Sequence, residues 1–297
     1  MIEFPTLDAL SSEAEFSADA ALHGVLPPPI QDNIPGTVRV EVGGGAESLR
    51  FYGAEVGGPP IIFLEGDIFR RREGGESHWI VGEGYDGIAP WQMQAEAEQF
   101  AIAIGRTFVN LARPGTYGSS GNHHERRRER EVALVNDALD RLKDAFGWQR
   151  ICLAGLSGGG HLVAALMARR GDIDCAVIAS GNVAVRMRNQ DRGMRADITG
   201  YSDFVDPIDL VPEVARHPPN KVIVLTDPRD KVVSAVGQTA YVQALRDVGV
   251  AVEHRFLPAT DAHHHILRQA AILAAATYPS GGYSGRRIAA PAKKQPR

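Results

Sequence analysis

From Thr37 onward the chain alternates between two kinds of apolar pattern. Val38, Val40 and Val42 are spaced by polar residues. Gly43-Gly44-Gly45 follows, and Leu49 and Phe51 resume the apolar positions, which predicts a β-hairpin. Pro59-Pro60-Ile61-Ile62-Phe63-Leu64 is instead a short unbroken apolar run, as a strand buried on both faces requires. Further strand-like runs at 108–111, 151–154, 175–179, 221–225 and 252–257 are separated by helical stretches at 95–104, 125–146, 162–168, 238–248 and 266–276. The clearest is 125–146, where Val132, Val135, Leu139, Leu142 and Phe146 recur at helical spacing behind a charged first turn.

Strands separated by helices mean βαβ crossovers. The predicted class is therefore α/β: a mostly parallel central sheet with helices on both faces and antiparallel strands at the N-terminal edge. This domain is placed at 37–279. Residues 1–36 are acidic, then proline-rich up to Pro27-Pro28-Pro29, and read as a lead-in segment with room for one helix. Residues 280–297 carry Arg286, Arg287, Lys293, Lys294 and Arg297 among Gly, Pro and Ala, and are expected to be a disordered basic tail. Two stretches interrupt the rhythm. Residues 67–90 contain glycines and the aromatics Trp79 and Tyr85, with Trp91 just beyond; residues 182–216 are polar, with Arg186, Arg188, Arg192, Arg195, Tyr201 and Phe204.

Composition narrows the field. The 297 residues are 44% hydrophobic and 23% charged, with a formal net charge of −4, so no basic surface points to nucleic acid or a membrane. Cys152 and Cys175 both lie in apolar runs and are expected reduced and buried, which suits a cytoplasmic protein. The start, Met1-Ile2-Glu3-Phe4-Pro5, lacks the basic and apolar regions of a signal peptide, and no run reaches the length of a membrane span.

The candidate chemistry sits at Gly155-Leu156-Ser157-Gly158-Gly159, between a predicted strand and a predicted helix. That context gives G-x-S-x-G its meaning: the serine occupies a tight turn at the carboxyl end of the strand, and flanking glycines avoid Cβ clashes. The following helix offers its positive end, and the Gly158 amide can face a developing oxyanion. A serine hydroxyl needs a base and an orienting acid. Asp227-Pro228-Arg229-Asp230 follows a buried strand, so its carboxylates reach the same sheet edge. Asp230 is the expected acid, and Asp227, nearer the strand end, is the alternate. After the last strand, Asp261-Ala262-His263-His264-His265 supplies the base. His263 is expected at the loop's tight point, His264 is the alternate, and His265 is assigned to the closing helix. A metal site at this cluster is the lesser reading, because adjacent histidines diverge. His123-His124, beside an arginine run, are expected to face solvent.

The chain order Ser157, Asp230, His263 resembles the α/β-hydrolase superfamily over residues 37–278. Asn110-Leu111-Ala112-Arg113-Pro114-Gly115-Thr116-Tyr117-Gly118-Ser119-Ser120 is similar to that family's strand-four segment. Where the family carries His-Gly after its third strand, this chain has Leu64-Glu65-Gly66-Asp67. The resemblance thus gives the second oxyanion donor to the backbone of Asp67, although a carboxylate there disfavours a neighbouring anion. It implies acyl transfer to water through an acyl-enzyme on Ser157, with no metal or organic cofactor. A small-molecule carboxylic ester is the first substrate expected, and a small peptide or amide, as in prolyl-oligopeptidase-type enzymes, the second. A hydrolase-like binding protein without turnover is a third reading. The 182–216 insertion falls where such enzymes place a cap. A homo-oligomer is left open.

Overall fold

The computed structural model describes residues 2–28, 34–71, 79–82 and 84–278. The tail at 280–297, and part of the 67–90 stretch, lie outside them. Ten strands are present among the described residues: β1 Thr37–Val42, β2 Gly45–Ala54, β3 Ile61–Leu64, β4 Phe69–Arg71, β5 Trp79–Val81, β6 Phe108–Leu111, β7 Ile151–Leu156, β8 Ile173–Ala179, β9 Lys221–Thr226 and β10 Val252–Phe256. Nine helices accompany them: α1 Leu7–Leu10, α2 Ala18–His23, α3 Pro90–Ile104, α4 Glu129–Phe146, α5 Gly158–Met167, α6 Val185–Asp191, α7 Val211–Val214, α8 Ala235–Asp247 and α9 Arg268–Ala276.

Eight strands form one sheet in the order β1-β2-β6-β3-β7-β8-β9-β10. β1 and β2 pair antiparallel, as do β2 and β6; every later pairing is parallel. The predicted α/β architecture is the one observed, hairpin edge included. Period-two alternation divides the strands between two cores. Ile62, Leu64, Ile151 and Leu153 face one cluster with α4, α5 and α8, while Ile61, Phe63, Cys152 and Ala154 face another with α3 and α9. Both cysteines are free and buried.

Helix α4 buries Val132, Val135, Leu139 and Leu142, the stripe read from its spacing, and ends at Gly147 in the left-handed region. The lead-in holds two short helices rather than one, each opened by a hydroxyl accepting a backbone N–H. Leu10, Phe16 and Ala21 join the second core, where Phe16 stacks on Tyr85. The 67–90 stretch contributes a two-stranded ribbon, β4 with β5. Among the described residues no helix is long and apolar enough to cross a membrane.

Because β3 and β6 to β10 run parallel, the loops that follow them emerge on one edge. Such a carboxyl edge is where open α/β sheets present their sites.

Candidate active site

Ser157 ends β7 and caps α5 with φ 55° and ψ −111°, a conformation that costs a non-glycine residue about 1–3 kcal/mol. Surrounding bonds hold it there. Its N–H donates to Ala179 O at 2.8 Å, and its carbonyl accepts from His161 N at 3.0 Å and Asn182 N at 3.3 Å. The glycines are required: a Cβ on Gly155 would strike Gly159, and one on Gly159 would strike Leu64 O. The hydroxyl is thus presented at the edge on a half-buried residue. Gly158 opens α5, and its first-turn amide has no intrahelical partner.

Asp230 occupies the loop after β9. Its Oδ1 accepts from Val232 N at 2.8 Å and Val233 N at 2.9 Å, and its Oδ2 lies 2.8 Å from His265 Nδ1. An ionised carboxylate only accepts, so Nδ1 carries the proton and Nε2 is left with a free lone pair. Asp227 has a different task. Its two oxygens accept from Arg229, through the backbone and the guanidinium, and from Ala259 N at 2.8 Å. These bonds, those of Arg229 foremost, hold its carboxyl below the usual range and tie the β9 loop to the β10 loop.

The histidine expected to meet Asp230 was His263, with His264 as alternate. The structure brings neither to that carboxylate. His263 is exposed, and its ring has no hydrogen-bond partner among the described residues. His264 turns through φ 55°, and its Nδ1 stays 3.7 Å from Asp227. The cause is Asp261, whose carboxylate accepts from the backbone N–H groups of His263, His265 and Ile266. That side-chain turn delays α9 until Arg268, so His265 belongs to a loop and swings inward, 7% exposed. The readable signal was Asp261 four residues before the third histidine. Arg268 then anchors the start of α9 by bonding Glu65 beyond β3 and Glu96 on α3. Among the described residues, no three His, Cys, Asp or Glu side chains are grouped to hold a metal ion.

On the other flank, Gly66 abuts Ser157 and Asp67 abuts Gly158: a Cβ on Gly158 would collide with Asp67 Oδ1. The Asp67 amide makes no hydrogen bond among the described residues. Its carboxylate meets three buried arginines: Arg113 at 2.8 Å, Arg126 at 3.2 Å, and Arg127. Burial alone would raise this carboxyl, but Arg127, Arg113 and Arg126 together hold it well below the carboxylate range. Arg113 also pairs with Glu131, and Arg127 with Asp197, both at 2.8 Å. The Asp67 carboxylate stays ionised, and the arginines around it neutralise its charge. From sequence Asp67 enters through its backbone alone; its side chain gathers arginines from two separate segments, Arg113 after β6 and Arg126-Arg127 just ahead of α4.

His123 corrects another expectation. It does not face solvent: it is 1% exposed, edge-on to Phe69, with neither ring nitrogen hydrogen bonded. His124 is half-buried between Phe69 and Trp79, with Nε2 3.0 Å from Leu22 O. Of the aromatics singled out, Tyr85 is buried, Trp79, Tyr201 and Phe204 are half-buried, and Trp91 is exposed.

No family model matches the sequence, and neither does any curated protein. Solved structures match the fold. The Pyrococcus horikoshii acylaminoacyl peptidase aligns with TM-score 0.54 and 14% identity over 78% of this chain, which spans 38% of that enzyme's length. A Pyrococcus furiosus esterase aligns with TM-score 0.54 and 15% identity, covering 83% of this chain and 92% of its own. Est1E from Butyrivibrio proteoclasticus gives TM-score 0.54 and 13% identity, covering 81% and 96%. At such identities the likeness concerns the fold, and the chain has the α/β-hydrolase fold.

Proposed function

We propose that this protein is a serine hydrolase that cleaves a carboxylic ester through an acyl-enzyme on Ser157, with His265 as the base and Asp230 as the acid. The observation that carries the reading is the Asp230–His265 pair at 2.8 Å, on the same sheet edge as a serine held at φ 55°. A tight turn that exposes a serine hydroxyl and a carboxylate that fixes an imidazole tautomer are two parts of one nucleophilic device.

In this reading Ser157 Oγ attacks the ester carbonyl carbon while His265 Nε2 takes its proton. The amides of Gly158 and Asp67 receive the oxyanion. Collapse expels the alcohol, protonated by His265, and water repeats the sequence to release the acid. The esterases and the acylaminoacyl peptidase of the same fold make ester and amide cleavage the chemistries to compare first.

The experiment is covalent labelling by a fluorophosphonate together with hydrolysis of 4-nitrophenyl esters of graded acyl length, beside matched amides. Wild-type protein is expected to label and to turn over esters; Ser157→Ala is expected to do neither while keeping its fold. Labelling that survives Ser157→Ala would overturn the assignment.

A further inference from the structure

Near the Ser157 turn one buried positive charge is left over. Arg113, Arg126 and Arg127 share Asp67, Glu131 and Asp197 among themselves. His123 and His161 add no charge near neutral pH, because burial lowers both imidazoles. A fourth guanidinium, Arg188 on α6, has no carboxylate within ion-pair distance among the described residues, yet is only 8% exposed. Its Nε donates to Val232 O at 3.3 Å, its Nη1 is buried with no partner, and no described residue accepts from Nη2. An unpaired buried charge is costly enough that structures rarely keep one without use.

Arg188 is tied to segments that carry the proposed site. α6 follows from Asn182, whose N–H bonds the Ser157 carbonyl. Val232 lies two residues past Asp230. Burial, then the charges of Arg127 and Arg192, push the Arg188 guanidinium down to about 10, with Asp197 and Asp67 opposing, so the Asp67 cluster is near enough to act on it. A buried donor left open on the segment that follows Asn182 is a group that a substrate can complete.

Resting on the serine-hydrolase reading above, we infer that the substrate carries a carboxylate, which docks on Arg188 while the ester carbonyl lies at Ser157. A guanidinium presents paired N–H groups that match a carboxylate, and burial makes that pairing selective over an uncharged group. The reaction is otherwise the same: water adds, the ester C–O bond breaks, and a dicarboxylate, an alcohol and a proton leave.

Two measurements test this, with separate failures. The first compares 4-nitrophenyl hydrogen glutarate with 4-nitrophenyl valerate, which has the same acyl length. Wild-type kcat/KM, above the uncatalysed rate, is expected to favour the anionic ester at least tenfold. In Arg188→Met that ratio is expected to fall at least tenfold, and in Arg188→Lys by less. Using the ratio within each variant cancels any general loss of active protein. Equal rates in wild type, or a ratio that Arg188→Met leaves unchanged, would overturn the inference. The second measures calorimetric binding of monomethyl glutarate and of methyl valerate to Ser157→Ala. Tighter binding of the anion by at least tenfold, lost when Arg188→Met is added, supports the site whether or not wild type turns esters over. If the anion binds in this way but no ester is hydrolysed, the catalytic reading fails and the anion site stands. If esters are hydrolysed without preference and the anion binds no better, only the carboxylate inference falls.

Discussion

The two flanks of Ser157 are built on different physics. On one, Asp230 and His265 are set by backbone hydrogen bonds: Asp230 accepts from Val232 and Val233, and Asp261 accepts from the amides of His263, His265 and Ile266. On the other, Asp67 is set by charge, held among Arg113, Arg126 and Arg127. A site fixed by turns is local and tolerates change elsewhere. One fixed by ion pairing draws on residues from 67 to 197 and fails as a unit, since removing one charge exposes the rest. On the proposed mechanism, the two aspartates at one sheet edge differ in kind: losing Asp230 is expected to cost chiefly activity, and losing Asp67 chiefly stability.

The largest expected effect breaks the turn-built flank. His265→Ala should lower kcat by three orders of magnitude or more, as loss of a triad member does, whereas His263→Ala should stay within about threefold. His264→Ala should fall between, because that residue's positive φ helps to aim His265. Measuring kcat of the three variants at equal folded fraction decides the assignment. A dead His263→Ala beside an active His265→Ala would restore the histidine expected from sequence and end the one proposed from geometry.

Stability sharpens the contrast between the aspartates. Asp67→Ala leaves three buried guanidiniums short of a counter-charge and should cost about 3–5 kcal/mol in urea unfolding. Asp230→Ala orphans two backbone N–H groups and the His265 ring, and should cost about 1–3 kcal/mol while removing activity. If both variants lose stability equally, the two flanks are not built differently after all.

How much of this was legible in sequence follows the same division. The parallel sheet, the α4 stripe from Val132 to Leu142 and the serine turn are local patterns, and each appears where its period or glycine spacing placed it. The Asp230 loop was legible because a buried strand delivers it. The histidine that meets Asp230 was not, since the outcome hung on whether α9 begins at 266 or at Arg268, and that turns on the Asp261 side chain rather than on any apolar period. Arg113, Arg127 and Asp197 were beyond reach for another reason. They meet through crossovers between distant segments, and no spacing along the chain encodes which arginine a given aspartate will find.

The smallest effect concerns His123, which sits within the charge-built flank without joining its pairs. Its ring lies 3.9 Å from Asp67, but burial, then the repulsion of Arg113 and Arg126, lower its pKa well below the usual value, and Asp67 offsets only part of this. His161 is lowered too, burial first; its Nε2 bonds Val205 O at 2.9 Å. The sign follows from proton counting. In the unfolded chain each imidazole takes up a proton as pH falls below about 6.5, while the folded rings do so only at lower pH, so the unfolded state binds more protons in between. Stability must therefore decrease as pH falls below about 6.5, by up to about 1.4 kcal/mol per pH unit for each histidine once the unfolded ring is fully protonated. Asp67 adds a loss of the same sign lower down, below about pH 4, where the unfolded carboxyl protonates and the folded one stays ionised. Replacing His123 by Phe keeps a ring against Phe69 and removes one proton from the balance. Between pH 5 and 6, the slope of unfolding free energy against pH should then drop by about 1 kcal/mol per unit relative to wild type. An unchanged slope would mean that His123 is protonated in the folded protein, and that the arginine cluster around Asp67 carries less positive charge than its pairing implies.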